Sequence, residues 1–73
     1  MKLIVRVYGG TLVLGALTMM SDSEDFTVEF RCHRQGTVTH ATVMAESGVE
    51  RGIETDIGRK VQPLDLVSVR VTR

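Results

Sequence analysis

The chain has one cysteine, one proline, no tryptophan and no asparagine among its 73 residues. A lone cysteine closes no internal disulfide, so this is not a stapled secreted miniprotein. Nine Lys plus Arg offset nine Asp plus Glu. Zero net charge removes the simplest electrostatic case for a dedicated nucleic-acid or membrane-surface binder. The only aromatics are Tyr8, Phe26 and Phe30, few for the stacking platforms that single-strand binders add to their basic grooves. Long apolar runs are missing too. The longest, Val7 to about Met20, falls short of the roughly 20 residues a spanning helix needs. Met1 to Ser21 is also a poor signal peptide, because Arg6 interrupts its apolar region early, Gly9-Gly10 splits it and Thr18-Met19-Met20 is a poor cleavage site. The expectation is folded strands, with the cytoplasm as default compartment and no membrane partner.

What is present is a globular composition, 42% hydrophobic. The length allows one domain, residues 1–73, and a chain this size buries only about 60% of its unfolded surface. Val and Thr are abundant and alternate with polar residues, the period of a half-buried strand. Gly9-Gly10, Ser21 to Asp25, Gln35-Gly36, Ser47-Gly48 and Gly58 to Lys60 punctuate the pattern. Between them lie six candidate strands: Lys2 to Tyr8, Thr11 to Met19, Phe26 to Arg34, Thr37 to Ala45, Val49 to Ile57, and Leu66 to Thr72. The expected fold is all-β, a small single-domain antiparallel barrel-like or sandwich meander of about five to six strands. Residues 48–57 also carry a helical signal: Val49, Ile53 and Ile57 recur at i, i+4 and i+8, and Ser47 with Glu50 resembles a capping box. Interior Gly52 and four β-branched residues favour the strand.

Two hairpin registers follow from the turns. With Gln35-Gly36 as a two-residue turn, Phe30 faces Ala41, Val28 faces Val43 and Phe26 faces Ala45, all on one apolar face. The other face pairs Glu29 with Thr42, Arg31 with His40 and His33 with Val38. With Gly9-Gly10 as the turn, Val7 pairs with Leu12, Val5 with Leu14 and Leu3 with Ala16. The second strand then shows Val13, Gly15, Leu17 and Met19 on its opposite side, so it is apolar on both faces. Such a strand must be covered on both sides.

Few constellations carry chemistry. His33 and His40 share the polar hairpin face with Glu29, yet two histidines without a cysteine ligand fall below any structural zinc signature. No metal and no cofactor are expected. Cys32 and His33 point to opposite faces of one strand and form no dyad, and Cys32 is in phase with the apolar face. Asp22, Glu24 and Asp25 lack the ordered spacing of a calcium loop and read as a solvated connection that attracts a basic partner. The glycines are followed by no Lys-Ser/Thr and make no phosphate cradle.

An enzyme with a small-molecule substrate is therefore the least supported class. The expected function is a non-enzymatic protein-interaction or assembly module, a small accessory or inhibitory protein whose first partner is itself, as a homo-oligomer. The apolar contact residues are Ile4, Val13, Leu17 and Met19. The polar hairpin face of Glu29, Arg31, His33 and His40 is a second contact surface. The alternative is a small β-barrel that binds nucleic acid through a basic patch of Arg59, Lys60, Arg70 and Arg73.

Overall fold

Two runs of alternating aliphatic residues, Leu3-Val5-Val7 and Val67-Val69-Val71, form the middle strands of two sheets, and all these side chains are buried. Each contributes about 1.5–3 kcal/mol relative to remaining exposed. The structure, a computed structural model, describes residues 1–46, 48 and 51–73. Its strands are β1 (Lys2–Gly9), β2 (Leu12–Met20), β3 (Phe26–Arg31), β4 (Gly36–Thr37), β5 (His40–Ala45), β6 (Gly52–Thr55), β7 (Lys60–Val61) and β8 (Leu66–Thr72). They take 63% of the described residues and helix takes none, so the chain is all-β. Gly52–Thr55, within the segment that carried a helical signal, is strand. Ser47, Val49 and Glu50, which held the capping-box reading and the first helical position, lie outside the described residues.

The front sheet has the order β2-β1-β5 and the back sheet β3-β8-β6, with a two-stranded ribbon β4-β7 beside them, all antiparallel. Val5, Val7 and Leu14 from the front meet Phe30, Val67, Val69 and Val71 from the back in one core, with Val38 and Val61 completing it. The arrangement is three small antiparallel sheets, neither a closed barrel nor a meander, and the described residues form eight strands where five to six were expected. Thr37 to Ala45 is broken at Val38-Thr39 into β4 and β5, and Lys60–Val61 adds β7.

The hairpin read into Gln35-Gly36 does not form. β3 pairs with β8 (Phe26↔Val71, Val28↔Val69, Phe30↔Val67), whereas β5 pairs with β1 (Val5↔Val43, Val7↔Ala41). Hydrogen bonds show why. Cys32 N–H donates to Asp65 O (2.8 Å), His33 N–H to Leu14 O (2.9 Å) and Val38 N–H to Arg59 O (2.9 Å), so the connecting segment is bound elsewhere along its length. The apolar residues of the two strands do line one core, but from opposite sheets. Alternation states which face turns inward and leaves the edge neighbour open.

The first hairpin forms with a different register. Gly9 pairs with Leu12, so the turn is Gly10-Thr11, and Gly10 takes φ 61°, the first central position of a turn that favours glycine. Tyr8 pairs with Val13 but Val7 pairs with Gly15, leaving Leu14 as an extra, bulged residue. The bulge reverses the phase of the strand. Leu14 points inward at the bulge itself, and Leu17 and Met19 pack against the core after it. The strand that looked apolar on both faces has one apolar face with a phase step in it. Leu14 fills the space beside Gly36, where an added Cβ would lie 2.7 Å from its Cδ2.

Candidate interaction surface

The pairing register sets out the outward rows of the front sheet. From β2 through β1 to β5 they read Thr18–Ile4–Met44, Ala16–Arg6–Thr42 and Val13–Tyr8–His40, with Met20 beside Lys2 at the foot. Lys2 and Arg6 are the only charged side chains among these. Arg6 Nη1 donates to Met44 Sδ at 3.2 Å, laying the guanidinium along the methionine. Met20 is 72% and Met44 56% exposed. Both edge strands of this sheet, LVLGALTMM and HATVMA, lack a charge. Natural edges usually carry one to block strand addition.

The top of the face is held by Thr39. Its N–H donates to Tyr8 O (2.8 Å), its hydroxyl lies 3.2 Å from the same oxygen, and Gly10 N–H donates to its Oγ1 (2.9 Å). Thr39 Oγ1 also sits 2.9 Å from His40 Nδ1, and the His40 ring stacks on Tyr8 with centroids 4.7 Å apart and planes 5° from parallel. At the foot, Lys2, Ile4, Met44, Ala45 and Glu46 line an open groove of about 210 Å³.

The expected contact residues are redistributed. Ile4 and Val13 lie on the outward face, but Leu17 and Met19 turn toward the core because of the bulge, so they leave the apolar contact set. The polar hairpin face is not assembled. Glu29 and Arg31 lie on the outer side of the back sheet, His33 hydrogen-bonds beside β2 and His40 belongs to β5 on the other edge of the front sheet. The basic patch is dispersed as well. Arg59 and Lys60 sit at the end where β8 begins, Arg70 pairs with Glu54 and Thr27 in mid-sheet, and Arg73 lies beyond the other end of β8.

Arg73 and Arg51 are occupied by the acidic connection. Arg73 Nη1 meets Glu24 Oε1 at 2.8 Å, and its N–H donates to Asp25 Oδ1 at 3.0 Å. Arg51 donates to the carbonyls of Thr72, Ser23 and Glu24, and its guanidinium lies 5.9 Å over the Phe26 ring. The Asp22, Glu24 and Asp25 stretch is thus closed onto the chain's own cations.

Composition gave no sign of one further feature. Gln62-Pro63-Leu64-Asp65 is a tight turn closed by Asp65 N–H to Gln62 O (3.1 Å), with Asp65 Oδ2 accepting from Gln62 N–H (2.8 Å). Leu64 takes φ 76° at the position where a type II turn calls for glycine, and it is 69% exposed. Such a conformation costs about 1–3 kcal/mol. Three bonds hold it: Leu64 N–H to Cys32 O (2.8 Å), Arg31 Nη1 to Leu64 O (2.7 Å) and Arg59 Nη1 to Leu66 O (2.7 Å). The sequence signal was Pro63 followed by a non-glycine residue.

Cys32 is buried in the core, as its phase implied. Burial pushes its thiol pKa up, the Asp65 carboxylate adds to that and Arg59 opposes it. A thiol held neutral is a weak nucleophile. Among the described residues no three His, Cys, Asp or Glu side chains gather as a metal site, and no helix is long and apolar enough to cross a membrane. The chain matches no family model, no curated protein and no solved structure.

Proposed function

We propose that this chain is a non-enzymatic assembly module that acts in the cytoplasm as a small accessory protein and binds, first of all, other copies of itself. The observation that carries the reading is the outward face of the front sheet, where Ile4, Val13, Met20 and Met44 lie between two uncharged edge strands. Exposed methionine adapts to varied partners. Ile4, Met44 and Met20 gather at the foot of this face, and an exposed apolar patch of this kind marks a contact surface. The back sheet, with its outward Arg and Glu residues, is the solvated side of the same molecule.

The test is the solution mass of the purified protein, by light scattering behind a sizing column over a range of concentrations. A species of two or more chains supports the reading. A monomer of 8.1 kDa at every concentration overturns it.

A further inference from the structure

The molecule is 31 Å long and 18 × 17 Å across, and its two ends differ. The head, where β8 begins and β3 ends, carries Arg31, Arg34, Arg59 and Lys60 against Asp56 and Asp65. At its tip stands Leu64, with Leu66 also exposed. The foot, where β1 begins and β8 ends, carries Asp22, Glu24, Asp25 and Glu46 against Lys2, Arg51, Arg73 and the Met1 amine. There the groove of Ile4, Met44 and Ala45 opens, with Glu46 and Lys2 on its walls. Asp22 at the same end pairs with the Met1 amine at 3.1 Å.

Among the described residues nothing explains a leucine at position 64. Glycine would fit its φ better, and at 69% exposure the side chain adds little to the core. Strain retained in an exposed apolar residue points to a contact outside the molecule. The arginines around it are already positioned. Arg31 and Arg59 each use one N–H on a carbonyl of the segment, out of the five a guanidinium carries. The knob is therefore apolar at its centre, cationic at its rim and fixed before it binds.

We infer that copies of this chain associate head to tail, with the Leu64 turn of one copy seated in the Ile4–Met44 groove of the next. This rests on the self-association reading and specifies its geometry. The groove of about 210 Å³ has room for a leucine, since an apolar cavity of about 150 Å³ admits a benzene ring. The cationic rim of the knob meets Glu46, the acidic residue on the groove wall. Knob and groove lie at opposite ends of one chain, so the contact is heterologous and repeats into a ring or filament instead of closing as a two-fold dimer.

The experiment uses Leu64→Gly, which suits the turn, and Met44→Glu, which charges the groove at an exposed position. Sedimentation velocity is run on the parent, on each variant and on their equimolar mixture, with circular dichroism melts to confirm folding. The expected result is a parent that grows beyond two chains with concentration and shrinks with added salt. Each variant alone is then monomeric, and the mixture forms two-chain species and nothing larger, because it has one intact knob and one intact groove per pair. Leu64→Gly should melt no lower than the parent. Assembly of Leu64→Gly equal to the parent's, or a mixture that stays monomeric, overturns the head-to-tail contact while leaving self-association standing. A parent that is monomeric throughout overturns both.

Discussion

The two sheets solve the same packing problem from opposite sides and differ in what they show the solvent. In the back sheet the outward rows are Thr27–Arg70–Glu54, Glu29–Ser68 and Arg31–Leu66, so charge faces water and opposite charges adjoin. In the front sheet the outward rows hold methionine, isoleucine, valine, alanine and threonine around Lys2, Arg6, Tyr8 and His40, and the charge is confined to the middle strand, since neither edge carries any. The core gives no reason for this asymmetry, since each sheet contributes its own buried aliphatic row. What differs is the demand placed on the outer surface. A sheet that only needs solvating takes charged residues. The proposed contact would account for a front sheet whose edges carry none.

The strongest way to break the comparison is at the bulge that sets the front sheet's phase. Leu14→Ala empties the space beside Gly36 and should cost about 2–5 kcal/mol. That is a large part of the total stability of a domain this size, about 0.05–0.15 kcal/mol per residue. Urea unfolding followed by circular dichroism reads it. A loss below about 1 kcal/mol would mean that the site collapses freely, and that the bulged residue is not what fixes the phase.

That bulge also marks where the sequence stopped being legible. In the back sheet, strict alternation from Leu66 to Thr72 gave a strand whose ends match those observed. In the front sheet the same rule failed after Val13, because one extra residue shifts every later side chain to the other face. Leu17 and Met19 then looked outward-facing. The β3–β5 pairing failed for another reason: both strands do turn their apolar faces to one core, and period alone does not distinguish a neighbour along the edge from one across the core. The Leu64 turn needed three partners from distant segments before its φ could hold, and no local pattern contains them. Ile4 and Val13 were found on the exposed face because β1 is regular and Val13 precedes the bulge.

A smaller effect tests how the two sheets are joined at the foot. Arg51 links the β2–β3 connection to the end of β8 through three carbonyls, and its guanidinium covers Phe26. Arg51→Met keeps much of the stem and removes the charged donors, for an expected loss of about 1.5–3 kcal/mol. Arg73→Ala removes an exposed pair and should stay within about 1 kcal/mol. Melting both variants beside the parent ranks them. Equal losses would mean that the clasp is a diffuse charge effect and not Arg51's particular bonding.

The smallest effect is visible only in its pH dependence, and it concerns the joint where the back sheet hands the chain to the Leu64 turn. In the folded protein the Cys32 thiol is held above its ordinary 9.0, first by burial and then by Asp65, with Arg59 opposing. Below that pH the folded and unfolded chains both keep the proton, so the thiol adds no pH dependence. Above it the unfolded chain releases its proton first, which favours unfolding. The stability advantage of the parent over Cys32→Ala is therefore constant through neutral pH and shrinks as pH rises past the unfolded value. Paired urea titrations from about pH 7 to about pH 10 give the difference directly, because the other titrating groups are common to both proteins and cancel. A gap that stays constant or widens would show that the joint leaves Cys32 open to water. The turn would then be docked more loosely than its bonds to Cys32 require, and the rigid knob at the head of the molecule would lose its physical basis.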